Sequence, residues 1–401
     1  MNKFFTALFV VLNRLSGHCT GKFINVRLIF VTVSLLMGCC VAQAQVTLTA
    51  TSGTDSGSFT TLKEAFDAIN AGTHQGTIVI NINASTIESA SAVLNASGSG
   101  SASYTGISIY PTTTGLSISG NLAAPLIDVN GADNVTIDGR VNASGSTKSL
   151  TISNDNTSST AGTSTIRFIN DASSDTIKYC TLKGSSADAA AGIVFFSTGT
   201  STGNDNNTID NNNITNAADA NRPINAVYAL GTVGNNNETN TISNNNFYNF
   251  LSKGIASNGI NIGSNNSAFT IFGNSFYETA SFTASANVAY NVILIGAASG
   301  DGNGFTVYGN FIGGSAASCG GTWTKTSGTN NNNAFTAISL TTATGTANEI
   351  QGNTIRSFNW TNTINATFTA ISLTGATVAN IGTTTGNVIG AATGTGSIYY
   401  T

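Results

Sequence analysis

One short phrase recurs down the chain and limits the folds open to it. An apolar residue, two small or polar residues, Asn, any residue and a second apolar residue appear as Ile209-Asp-Asn-Asn212-Asn-Ile214 and Ile242-Ser-Asn-Asn245-Asn-Phe247. The phrase returns as Ile271-Phe-Gly-Asn274-Ser-Phe276, Val307-Tyr-Gly-Asn310-Phe-Ile312 and Ile350-Gln-Gly-Asn353-Thr-Ile355, and in part as Gly386-Asn387-Val-Ile389. Ile177-Lys-Tyr-Cys180-Thr-Leu182 is an earlier copy, with Cys180 in the Asn place. The key positions are 180, 212, 245, 274, 310, 353 and 387, so the period runs from 29 to 43 residues. Most copies follow a second apolar segment, such as Ala226-Val-Tyr-Ala-Leu230 or Asn291-Val-Ile-Leu-Ile295; Phe335-Thr-Ala-Ile-Ser-Leu340 and Phe368-Thr-Ala-Ile-Ser-Leu373 are one segment twice. No helical periodicity runs through these stretches, so each period holds at least two short strands.

One coil of such strands cannot bury its apolar face, so neighbouring coils must stack. Stacked coils lie about 4.8 Å apart, which puts equivalent positions on top of one another. Like charges at that spacing repel by roughly 1 kcal/mol even in water. The composition avoids this: only 8% of residues are charged, against about 25% in ordinary domains. Asn suits the turn because it tolerates left-handed backbone and its amide can bond to the next coil. A propeller would need four strands per blade and an even period. The expected fold is therefore all-β, a right-handed parallel β-helix.

The N-terminus reads as a targeting segment. Lys22 and Arg27 precede an apolar run from Leu28 to Cys40, and Ala42-Gln43-Ala44 gives a small-x-small cleavage pattern. Leu36-Met37-Gly38-Cys39 loosely matches a lipoprotein box as an alternative. We assign 1–44 to a signal peptide, 45–75 to an N-terminal strand and capping helix, and 76–401 to the β-helix, and expect a secreted or cell-surface protein. Cleavage removes four basic residues (Lys3, Arg14, Lys22, Arg27) from 14 against 18 acids, leaving 10 − 18 = −8. An acidic, lysine-poor surface speaks against nucleic acid as partner. Of the five cysteines only Cys180 and Cys319 remain, without metal-ligand spacing, and they are read as buried small hydrophobes.

Thr61-Leu-Lys-Glu64 is a capping box, Leu62, Ala65, Phe66 and Ile69 share one face, and Gly72 follows, so a helix over Leu62 to Asn70 is expected to lid the open end of the solenoid. Ser58-Phe-Thr-Thr-Leu-Lys-Glu-Ala-Phe-Asp-Ala-Ile69 resembles the opening helix of pectin-lyase-like β-helix proteins, and Asn130-Gly-Ala-Asp-Asn-Val-Thr-Ile-Asp-Gly139 their early-coil phrase. Residues 46–185 look more narrowly like the N-terminal region of large Bacteroidetes secreted proteins. That resemblance implies a C-terminal sorting domain for type IX secretion, and so the outer-membrane secretion machinery as a partner. Ser397-Ile-Tyr-Tyr-Thr401 stops inside a strand pattern, and we expect a chain truncated at its C-terminus.

The resemblance also raises carbohydrate chemistry. Lyases of this fold hold calcium in a carboxylate cluster and use Arg or Lys as base; Asp128, Asp133, Asp138 and Arg140 are the local set resembling that, although Asp133 and Asp138 also suit turns. His74 stands alone in a loop after the helix, and Arg167 with Asp171 and Asp175 reads as a surface salt bridge. No catalytic residue, metal or cofactor is assigned. Aromatic residues near turns favour binding instead, since their faces stack on sugar rings: Tyr277, Tyr308, Trp323 and Trp360 are the candidate binding residues, with Tyr248, Phe250 and Tyr290 in similar places. The longest departures from the repeat, Gly313 to Asn333 and the segment after Asn353, are where a binding surface is expected. The favoured function is a non-catalytic stalk or adhesin-like module that grips polysaccharide or cell-surface glycan; the alternative is a polysaccharide lyase or related β-helix enzyme. Cys180, Asn212, Asn245, Asn274, Asn310, Asn353 and Asn387 are read as a structural ladder.

Overall fold

The apolar residue that opens each phrase becomes one continuous row. Ile137, Ile177, Ile209, Ile242, Ile271, Val307 and Ile350 pair in register from strand to parallel strand, and none is exposed. The computed structural model describes residues 44–298, 302–327, 331–391 and 396–401; the expected signal segment lies outside the described residues except for Ala44. These residues form a right-handed parallel β-solenoid of about nine turns.

Three sheets make its walls. Sheet I has twelve strands, running from Ser56–Phe59, Val46–Gly53 and His74–Ile82 to Ala379–Ile381. Sheet II has ten, from Thr86–Glu88 to Val388–Ile389, and sheet III nine, from Ala92–Asn95 to Phe368–Thr374. Val46–Gly53 is antiparallel to both of its neighbours and opens the stack. Alternation along each strand sends one residue inward and the next outward. The inward row of sheet II runs Leu182, Ile214, Phe247, Phe276, Ile312, with the Phe247 and Phe276 rings stacked 4.6 Å apart. The inward row of sheet III runs Ile127, Ile166, Val194, Val227, Ile260, Ile293, Ile338.

Helix α1 (Leu62–Asn70) closes the first coils as expected, with Leu62, Ala65, Phe66 and Ile69 buried. Thr61 Oγ1 accepts from Glu64 N at 3.2 Å, while Glu64 reaches back to Thr60 N at 2.8 Å, one residue earlier than a simple capping box. Buried Glu88 from the first coil adds its carboxylate to the helix N-terminus, accepting from Leu62 N at 3.0 Å and Lys63 N at 3.1 Å. Asn70 ties the other end to sheet III through Val93 O and Asn95 N.

Two expectations are corrected here. His74 is not in a solvated loop: it begins a strand, is 2% exposed, sits edge-on to Phe59 and has Nδ1 2.6 Å from Thr54 O. The inserts expected to carry a binding surface contribute strands to the solenoid instead. Phe282–Thr283, Trp323–Thr326, Phe358–Trp360 and Ile398–Tyr400 pair in parallel as a fourth sheet between sheets II and III.

Candidate binding face

The ladder lies in the corner between sheets I and II. Asn212, Asn245, Asn274, Asn310 and Asn353 are fully buried. Asn245 illustrates the rung: its Oδ1 accepts from Asn212 N at 2.8 Å and Asn212 Nδ2 at 3.1 Å. Its Nδ2 donates back to Ile209 O at 2.8 Å and on to Asn274 Oδ1 at 3.0 Å. The same pattern continues to Asn387, and Cys180 starts it, donating its N–H to Asn212 Oδ1 at 2.8 Å. Burial pushes the Cys180 thiol up, so it stays protonated. The ladder Asn does not itself take the left-handed conformation expected of it. The residue before it does: Tyr179, Asn211, Asn244, Gly273, Gly309 and Gly352 have φ between 53° and 66°.

A second inner ladder, not foreseen, stands five residues before Cys180, Asn212 and Asn245, and gives way to Phe269 and Phe305 in the next two coils. Asp175 N bonds to Asn207 Oδ1 and Asn207 N to Asn240 Oδ1, each at 2.9 Å. Asp175 replaces Asn in its rung, accepting from Val135 N at 2.8 Å. Burial, with Asp133 adding repulsion, raises its pKa well above the usual carboxylate range. A third set, Asn204, Asn237 and Asn266, bonds in series at 2.9 and 3.0 Å. The offset of five is visible in the sequence at Asp175, Asn207 and Asn240.

The candidate aromatic residues separate into two groups. Trp323 and Trp360 are 0% exposed, as are Phe250 and Tyr290; both tryptophans face into the fourth sheet, so neither ring is open to a ligand. Trp323 stacks on Phe358 at 5.4 Å and Trp360 leans on Phe335 at 4.9 Å. Sequence position near a turn misled here because the strands that bury them are the inserts themselves. Tyr308 is outward on sheet I, 47% exposed, in register with Phe272. Tyr277 is outward on sheet II and stacks on Tyr248 with ring centroids 5.5 Å apart and planes at 21°. Partial burial pushes the Tyr277 hydroxyl up to about 12, so both rings stay neutral hydrogen-bonding groups.

Around this pair the outer face of sheet II is polar and nearly uncharged. Lys183, Thr215, Tyr248 and Tyr277 form one row, and Thr181, Asn213, Asn246, Ser275 and Phe311 the row beside it. Asn246 Nδ2 donates to Asn213 Oδ1 at 3.2 Å. The turn at Ala317–Cys319 borders the face, where Ser318 N donates to Ser275 Oγ at 3.1 Å.

The acids singled out for lyase chemistry are dispersed. Asp138, on sheet I, accepts from Arg140 Nε at 2.8 Å and Nη2 at 2.6 Å, with Lys178 Nζ 3.6 Å away. Burial opposes its charge, but these bonds outweigh burial and lower its pKa. Asp128, on sheet III, is held by both Nε and Nη2 of Arg167, at 2.9 and 2.8 Å; Asp133 accepts from Ser173 N in the corner between. Arg167 therefore pairs with Asp128 rather than with Asp171 or Asp175. Asp171 instead fills a nest of backbone N–H groups from Thr200, Ser201, Thr202 and Gly203. Among the described residues no three His, Cys, Asp or Glu side chains converge as metal ligands.

No family model matches the chain, and no curated protein matches it. Two solved structures of PfbA, a surface adhesin of Streptococcus pneumoniae, are similar. One has 13% identity and a TM-score of 0.34, covering 79% of this chain and 88% of that one. The other has 13% identity and a TM-score of 0.35, covering 78% and 94%. Nothing about this chain's ligand follows from either.

Proposed function

We propose that the protein is a non-catalytic extracellular β-helix module of adhesin type that holds glycan against the outer face of sheet II. The observation that carries this reading is the stacked, outward Tyr248–Tyr277 pair beside the half-buried amides of Asn213 and Asn246, with Thr215 and Ser275 of the same rows buried. Sugar rings present C–H faces to aromatic surfaces and hydroxyls to amides; the paired tyrosine rings and the neutral amides beside them match both, and Lys183 is the one charged member of the tyrosine row. The solenoid gives that row a rigid backing, because every strand behind it is paired on both sides. The dispersed, individually paired acids give no comparable support to chain cleavage, whose general acid–base step needs groups within reach of one proton.

The test is a panel of glycans and polysaccharides assayed for binding and for depolymerisation, with and without calcium. Binding without turnover, weakened about tenfold or more by Tyr248→Ala or Tyr277→Ala but not by Tyr308→Ala, is the expected outcome. Depolymerisation lost on chelation or in Asp138→Ala would sink it and establish an enzyme.

A further inference from the structure

Lys325 occupies a place where its neighbours are aromatic. It pairs in register with Phe282 on one side and Trp360 on the other, and Tyr400 follows in the same row of the fourth sheet. Its side chain is 0% exposed. Nζ donates to Thr361 O at 2.8 Å, Asn331 O at 3.0 Å and Asn362 Oδ1 at 2.8 Å, and lies 5.7 Å from the centre of the Trp360 ring. None of these three acceptors is a carboxylate, so the ammonium is buried without a bonded counter-charge, a costly state. Burial lowers the Lys325 pKa to about 8, which frees the amine lone pair in part of the population near neutral pH.

Asn362 presents the matching half. Its Oδ1 also accepts from Asn333 N at 3.0 Å, a backbone N–H placed to receive negative charge on that oxygen. Its Nδ2 is buried and makes no hydrogen bond of normal geometry; the Tyr400 hydroxyl lies beside it and donates to Asn333 O at 3.2 Å. A nucleophilic nitrogen, a polarised carbonyl and an unheld leaving nitrogen thus meet inside apolar walls.

We propose that Lys325 and Asn362 form an intramolecular isopeptide bond. The neutral Nζ adds to Asn362 Cγ, and the Asn333 N–H holds the oxyanion. The Tyr400 hydroxyl gives its proton to Nδ2 and takes one from the attacking nitrogen. The Cγ–Nδ2 bond breaks and one ammonia leaves. Amine and carboxamide become a secondary amide, with no change of oxidation state and no co-reactant. The product removes the buried charge and joins strands 37 residues apart in sequence by a bond that pulling cannot unzip. This inference rests on the fourth sheet and not on the glycan reading.

Peptide mapping of the purified full chain tests it without any variant. Denatured and digested with trypsin, the linked protein is uncut at Lys325. The peptide 254–356 then carries 357–401 as a branch, lighter by one ammonia than the two together. Asn362→Ala and Lys325→Met lose the branch. Separate peptides 254–325, 326–356 and 357–401 at unmodified mass, after long incubation of the folded protein at a pH of about 9, overturn the proposal. A branch that survives in Asn362→Ala overturns the choice of partner.

Discussion

Two corners of the solenoid solve the same problem in opposite ways. Between sheets I and II the chain turns on one left-handed residue and one buried Asn, repeated from Asn212 to Asn353. Between sheets II and III the connection grows from a short loop into a whole extra sheet. The first corner is constrained because an Asn must meet donors and acceptors on the coils before and after its own at once. The second is free because each added strand brings its own backbone partners and its own aromatic core. Variable length is therefore no sign of looseness here.

The comparison breaks first at Trp360. If the fourth sheet were a decoration, Trp360→Ala would be mild; we expect a loss of about 3–5 kcal/mol in denaturant unfolding, typical of emptying a buried aromatic site. Asn245→Ala comes next, at about 3 kcal/mol, since it strands the N and Nδ2 of Asn212 and the carbonyl of Ile209. Exposed Thr279→Ala in the other corner should stay within about 0.5 kcal/mol under the same titration; equal losses at Asn245 and Thr279 would erase the distinction. Gly309→Ala isolates the turn conformation, because φ is 61° and a Cβ there meets nothing within 4 Å. Its cost should be about 1 kcal/mol, read as a drop in melting temperature.

Asp175 gives an effect of about the size expected at Gly309, and its magnitude depends on pH. Its folded pKa is raised, so its contribution is fully present below the unfolded value of about 3.9 and is lost as pH rises toward the folded value. Asp175→Asn should leave stability near pH 4 little changed and raise it by about 1 kcal/mol at neutral pH. Melting curves of both proteins across that window check this; parallel curves would show that Asp175 is ionised without penalty.

Much of this was legible in the sequence, and for one reason: the ladder and core positions stack at equivalent places, so their spacing carries the fold. Helix α1 announced itself through Thr61, Glu64 and its apolar face. Trp323 and Trp360 were misread because their neighbours, such as Phe282 and Phe335, come from other coils and from strands of two to seven residues. A strand as short as Phe282–Thr283 leaves no period to detect. The left-handed residue moves to the position before Asn because the ladder amide spans coils. The Tyr248–Tyr277 stack was legible too, since both rings stand three residues after a ladder Asn.

The Asn rungs all point the same way along the axis. Each completed coil leaves an N–H and an Nδ2–H facing its successor, and each arriving coil brings the oxygen that receives both. A chain emerging N-terminus first would find α1 and the opening strands already set, then add coils one by one onto waiting donors. Growth would be vectorial, with earlier turns left undisturbed as later ones dock.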